Sequence, residues 1–407
     1  MSVQDYARRV CESVNLPYAN KLIWATQSTL RVGQCVVLTH RLTVLPESLG
    51  RLATLTTLSL GGCYALTGLP ESLGRLVALT RLNLSGCPAL TGLPKSLGQL
   101  TALTTLNLNS CRALTKLPDS LGQLAALTYL NLSYCRALTR LPNSVGQLAA
   151  LVTLNLNDCH ALTGLPNSLG QLAALATLNV NWCHALTGLP ESLGQLSVLT
   201  TLGLHDCALT GLPDSLCRLT VLETLHLGYF CPPTGLPESL GQLAVLKILD
   251  LTRCGELTGL PESLGQLVAL EMLYLSSCFG LMVLPESLGQ LAALKTLDIS
   301  YCYALTRLPE SLGRLVKLES LCINHCAALQ RIPISFINLP SCLNTPCNGL
   351  SNIVFPTRDI METNETEIRR FLLAHHRPLQ SLTLILAAGD MNHLPDELWV
   401  FALDDIM

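Results

Sequence analysis

From Leu42 the chain reads Leu-Thr-Val-Leu-Pro-Glu-Ser-Leu-Gly-Arg-Leu-Ala-Thr-Leu-Thr-Thr-Leu-Ser-Leu-Gly-Gly-Cys-Tyr-Ala, and the pattern restarts at Leu66. Its clearest marker is a Leu-Pro step that begins at Leu45, Leu69, Leu93, Leu117, Leu141, Leu165, Leu189, Leu212, Leu236, Leu260, Leu284 and Leu308. A weaker Ile332-Pro333 follows. The spacing is 24 throughout, except 23 between Leu189 and Leu212. The text of the repeat suggests one residue lost near Cys207-Ala208, another gained near Phe230 and lost again before Leu236. An internal repeat of this length means that the chain grows by stacking like units rather than by enlarging one core.

Within a repeat two periods alternate. Leu58 and Leu60 are two apart and share one face of a strand, while Thr57, Ser59 and Gly61 face the other way. Each repeat therefore gives one short strand, and successive strands are expected to pair in parallel at about 4.8 Å. The Leu69-Pro70 step suits the first turn of a helix or 3-10 segment, because proline fixes φ and lacks a donor. Leu73 points inward, Gly74 permits a turn, and Leu76 and Leu79 return the chain to the core. The pattern predicts an α/β solenoid of about twelve 24-residue coils, with the parallel sheet on the concave face and short helical or 3-10 segments on the convex face. Residues 1–41 read as an N-terminal helical cap, with a helix over Gln4–Val14 and an entry strand Val36-Val37-Leu38. The solenoid is placed at 42–340, and 341–407 are read as a C-terminal cap and small helical tail.

The repeat LxxLxLxxC followed by LxxLPxSLGxL resembles the leucine-rich-repeat family. It looks like the repeat domains of plant disease-resistance receptors and plant intracellular Ras-group-related repeat proteins. The resemblance implies a horseshoe that holds a protein ligand on its concave face, in intracellular signalling or immunity-like recognition. No GxxxxGK[ST] loop accompanies it, so the nucleotide switch of those receptors is not expected. The segment Leu394–Leu403, opening Leu-Pro-Asp-Glu-Leu, resembles the start of an F-box. That keeps open a second reading, a substrate adaptor of a ubiquitin ligase.

Composition narrows the partner. Charged residues are 13%, apolar ones 49% and the net charge is −3, without a basic run along the sequence. Nucleic acid and anionic membrane are therefore not expected partners. No signal peptide, lipidation motif or membrane-spanning run is read, so a cytoplasmic protein is expected. Twelve of the 18 cysteines (Cys63, Cys87, Cys111, Cys135, Cys159, Cys183, Cys207, Cys231, Cys254, Cys278, Cys302 and Cys326) are assigned one register position, as a reduced and buried ladder. His160, His184, His205 and His226 lie on adjacent coils, but no carboxylate-rich set recurs with them, and no metal or other cofactor is expected. The recurring Ser48 and Ser72 read as convex helix residues beside no recurring base, so no enzyme and no small-molecule substrate is expected.

A partner is sought where the monotony breaks. The middle position of the exposed strand face runs Ser59, Asn83, Asn107, Asn131, Asn155, Asn179, Gly203, His226, Asp250, Tyr274, Asp298, Cys322. Stacked amides there are expected to satisfy one another across the sheet. Tyr129, Tyr134, Asp158, Trp182, His205, Asp206, Tyr229 and Tyr301 stand out on the same face, and the first seven are the candidate protein-binding residues. Tyrosine and tryptophan favour such a role because they are enriched where binding energy concentrates.

Overall fold

The computed structural model describes residues 42–230 and 235–333, the strand Cys35–Val37, and Ser335, Phe336 and Leu339. The expected helical cap at Gln4–Val14 and the tail after 341, including Leu394–Leu403, lie outside the described residues. The strands are β1 (Cys35–Val37), β2 (Thr57–Ser59), β3 (Arg81–Asn83), β4 (Thr105–Asn107), β5 (Tyr129–Asn131), β6 (Thr153–Asn155), β7 (Thr177–Asn179), β8 (Thr201–Gly203), β9 (Thr224–His226), β10 (Ile248–Asp250), β11 (Met272–Tyr274), β12 (Thr296–Asp298) and β13 (Ser320–Cys322). They form one parallel sheet in chain order. The entry strand sits one residue earlier than the sequence suggested and pairs Val36 with Leu58.

Each coil returns through a five-residue 3-10 segment, from Glu47–Arg51 to Glu310–Arg314. The proline of the Leu-Pro step stands just before the segment in extended backbone, as at Pro70 with φ −72° and ψ 153°. No side chain of the same coil caps the segment. The glutamate reaches across instead. Glu47 Oε2 accepts the Ser72 N–H at 3.0 Å, and Glu71, Glu191, Glu238, Glu262, Glu286 and Glu310 make the same bond to the serine of the following coil. A free N–H at the start of a turn is thus satisfied from outside, and coil is tied to coil.

The core is a continuous column of leucine. Leu58, Leu60, Leu66, Leu73, Leu76 and Leu79 of one coil are fully buried, and the same six positions are buried in coil after coil. Burying each contributes about 1.5–3 kcal/mol, and this is the main stabilising term. Close stacking explains the glycine of the Ser-Leu-Gly step. A Cβ on Gly146 would stand 2.4 Å from the Ser168 carbonyl oxygen, and equivalent clashes recur at Gly50, Gly74, Gly98, Gly122 and Gly170. Ser72 lies in the convex 3-10 segment, as expected, and is buried there against the preceding coil.

The cysteine ladder follows the core, with one exception. Cys87 Sγ donates to the Leu60 carbonyl at 3.2 Å, and the same bond joins Cys111 to Leu84 and Cys135 to Leu108. Burial pushes the Cys111 thiol up to about 12, assisted by Cys87. In the coil of β9 the position belongs to Phe230, which is buried and whose N–H bonds to Leu227 as those of Cys111, Cys135 and Cys159 do to Leu108, Leu132 and Leu156. The strands explain why. Leu202 pairs with Leu225, 23 residues on, and Leu225 pairs with Leu249, 24 residues on. One residue is lost after Cys207 and none is regained before β10, so the ladder place falls on Phe230, and Cys231, assigned to it from the sequence, lies outside the described residues.

Candidate functional site

The seven candidate residues do not all stand on the strands. Tyr129 opens β5 and is half-buried. His205 lies two residues after β8. Tyr134, Asp158, Trp182, Asp206 and Tyr229 occupy one equivalent position, in the turn between the strand and the ladder cysteine. Placing them on the concave strands was therefore wrong for those five, because the chain has already left the sheet when it reaches them. They line the rim beside it.

This turn has an unusual backbone. Its residues have φ of 61° at Tyr134, 59° at Asp158, 58° at Trp182, 55° at Asp206 and 61° at Tyr229. Gly62 and Gly86 hold the place in the first two turns, at 75° and 69°. A side chain in the left-handed region costs about 1–2 kcal/mol relative to glycine. The turn is fixed by its neighbours: the Tyr134 N–H donates to Asn157 O at 2.7 Å, and the Trp182 N–H to His205 O at 2.7 Å. The polar strand position helps to shape it. Oδ1 of Asn83, Asn107, Asn131 and Asn155 accepts the N–H two residues on, and Asp250 and Asp298 do the same. These oxygens brace the turn of their own coil, and across the sheet Asn83 Nδ2 donates to Ser59 Oγ at 3.3 Å and His226 Nδ1 lies 3.4 Å from Asp250.

Side chains along the rim touch from coil to coil. His205 is set edge-on between Trp182, at 5.5 Å between ring centres, and Tyr229, at 5.1 Å. Arg253 Nη1 donates to Tyr229 Oη at 2.6 Å, and its guanidinium lies 5.4 Å from that ring's centre. A second line runs beside the first. His160 Nε2 is 3.4 Å from Asp158, the His160 and His184 rings stack at 4.7 Å, and His184 Nε2 is 3.3 Å from Asp206. Burial lowers the pKa of His205, against the opposing pull of Asp250 and Asp206. Burial alone would raise the Asp250 pKa. Hydrogen bonds from His226 and Thr252 outweigh it and hold that carboxyl at about 2. Tyr134 and Trp182 are each 39% exposed and Tyr229 is 36% exposed, so their apolar faces are offered to solvent.

Near the last coils Tyr301, noted from the sequence, has aromatic neighbours in Phe279 and Tyr303 that sequence reasoning passed over. Phe279 and Tyr303 stack at 5.4 Å, and Tyr301 stacks on His325 at 4.6 Å. The 24-residue step from Phe279 to Tyr303 was the available signal. Among the described residues no three side chains gather as metal ligands, and no helix is long and apolar enough to cross a membrane.

Solved structures of known proteins share this architecture. A leucine-rich-repeat protein of Leptospira interrogans is 31% identical, with a TM-score of 0.69 over 83% of this chain and 81% of that one. A TDR receptor is 25% identical, with a TM-score of 0.53 over 86% of this chain and 67% of the receptor. A plant peptide hormone receptor, solved in complex with RGF2, is 22% identical, with a TM-score of 0.53 over 78% of this chain and 58% of the receptor. No protein-family model matches the sequence, and no curated protein matches it.

Proposed function

This chain belongs to the leucine-rich-repeat family, and from that premise we propose that it is a protein-recognition scaffold whose docking row is the rim turn Tyr134, Asp158, Trp182, Asp206 and Tyr229. One observation carries the reading. The backbone of this turn favours glycine, and two turns use glycine, yet ten others carry a side chain, aromatic at Tyr134, Trp182, Tyr229 and Tyr301. Tryptophan at φ 58° carries a backbone cost that glycine would not, so we read the side chain as standing there for what it meets outside. Exposed aromatics and arginine, as at Trp182, Tyr229 and Arg253, are the composition of binding hot spots. The plant receptor solved with RGF2 is a precedent for a ligand on this fold.

The reading is non-enzymatic. The hydroxyl oxygens of the recurring serines, as at Ser72, Ser96, Ser120 and Ser144, are buried between coils, away from any attacking role. A cytoplasmic setting and a part in signalling or immunity-like recognition belong to the same proposal. Free buried cysteines such as Cys111 and Cys135 suit a reducing compartment. The test replaces Tyr134, Trp182 and Tyr229 by glycine, the residue the backbone prefers, in the full chain. Proteins retained by the parent and by the variant are identified by mass spectrometry, with circular dichroism as the folding check. The proposal expects a retained protein that the variant loses while keeping its fold. Identical retention by both would refute it.

A further inference from the structure

Coil stacking brings together cations that are far apart in sequence. Arg112 and Lys116 lie in the loop after Cys111, and Arg136 and Arg140 hold the same two places in the next coil. The loops are joined by the Thr139 N–H to Thr115 O bond, at 3.4 Å, and the preceding turns by the Ser110 N–H to Ser133 O bond, at 2.7 Å. Like residues are thus one coil apart, about 4.8 Å by strand spacing. All four side chains are exposed. Among the described residues the one carboxylate within ion-pair distance of any of them is Asp158, 3.9 Å from Arg136.

Nothing in the fold requires this. At the place of Lys116 and Arg140, seven other coils carry glycine (Gly68, Gly92, Gly164, Gly188, Gly211, Gly235 and Gly259), with nothing within 4 Å of where a Cβ would stand. At the place of Arg112 and Arg136, the flanking coils carry Pro88 and His160. Stacked like charges repel, so the arrangement costs stability unless an anion answers it. The convex acids also thin out on this side. The glutamate that opens the 3-10 segment in seven coils is the shorter Asp119 after Lys116, Asn143 after Arg140 and Asn167 in the coil beyond. Tyr134 adjoins the patch, exposed and one coil from Arg112.

We infer that Arg112, Lys116, Arg136 and Arg140, with Tyr134 at their edge, dock a short acidic segment of a partner protein. The inference rests on the protein-recognition reading and names the chemistry of one stretch of that partner. Two stacked arginines present forked donors suited to carboxylates, and the two outer cations widen the site. The patch is only two coils wide, and beyond it the same places hold Pro88 and Gly92 on one side and His160 and Gly164 on the other. A nucleic acid or an anionic bilayer draws its affinity from a longer cationic field. The chain as a whole is acidic, at −3.

The experiment uses the full chain and fluorescence anisotropy. Its probes are a labelled twelve-residue peptide with four glutamates, its glutamine and lysine counterparts, and a single-stranded DNA of equal length. The glutamate peptide is expected to bind, with affinity falling as salt is added, and the other three to bind more weakly. Lys116→Gly/Arg140→Gly installs the residue of neighbouring coils, keeps the fold, and is expected to weaken the glutamate peptide about tenfold. Arg307→Gly/Arg331→Gly changes the same register place near the other end and is expected to leave binding unchanged. No binding of the glutamate peptide, equal loss in both double variants, or tighter binding of the DNA would each overturn the inference. If the peptide fails while a captured partner is still lost on changing Trp182 and Tyr229, the acidic segment is wrong and the rim reading stands. If the peptide binds and those changes lose nothing, the rim reading falls instead.

Discussion

The inner wall of each coil and the rim turn beside it are a few residues apart, yet they obey different rules. The wall is monotonous: Leu130, Leu154 and Leu178 pair in register, fully buried, and Cys135, Cys159 and Cys183 follow them. The turn changes at every step, through Tyr134, Asp158, Trp182, Asp206, Tyr229 and Arg253, at one fixed backbone conformation. A constant backbone with a changing side chain means that the fold does not choose the side chain. In the wall it does, because each leucine must fill a space shaped by the coils above and below. The solenoid separates stability from recognition by position within the repeat.

That contrast can be broken from the inside first. Leu154→Ala empties a place at the centre of the stack and is expected to cost about 3–5 kcal/mol, read by urea denaturation. A cost near zero would mean that the coils do not share one core. Gly146→Ala forces a methyl against the Ser168 carbonyl and is expected to cost about 2–3 kcal/mol, with loss of a single cooperative transition. Replacing Gly164, where a Cβ meets nothing, should change stability by less than about 0.5 kcal/mol, which sharpens the same comparison. On the rim, Trp182→Gly is expected to leave stability within about 1 kcal/mol of the parent, because backbone relief offsets lost ring contacts. A loss of 3 kcal/mol or more would make the tryptophan a structural residue.

The pH response divides along the same line. Cys111 in the wall holds its proton up to about 12 when folded. The unfolded thiol releases its proton near 9, so this contribution is complete below that value and is lost as pH rises towards 12. Asp250 beside the rim is held at about 2 against an ordinary 3.8, so its contribution is present above 3.8 and disappears as pH falls through 2. Asp250→Asn should therefore flatten the acid limb of the stability curve and leave the alkaline limb unchanged.

Most of the wall was legible in the sequence, since leucines at fixed spacing declare a strand face and a return segment. The parallel sheet, the buried cysteines and the short convex segments all follow from it. What could not be read were relations between coils and backbone conformations that residue types do not announce. Glu47 looks like a residue for its own turn, but it caps Ser72 of the next. Tyr134 and Trp182 alternate with strand residues on paper, but they sit in a left-handed turn that their side chains do not advertise. Phe230 and Cys231 are adjacent candidates for one ladder place, and only the pairing of Leu202 with Leu225 decides for Phe230. The basic loops escaped notice because 24 residues separate Arg112 from Arg136 along the chain, whereas one coil separates them in space.

The most direct test of the account is site-specific photo-cross-linking to a retained partner. A photoreactive phenylalanine analogue is placed at Trp182 on the rim and, separately, at Val268 on the outer side of a coil, which is 57% exposed. The account predicts a cross-linked partner from position 182 and none from 268. Cross-linking from 268 with none from 182 would contradict it, and would move the docking surface to the convex side of the solenoid.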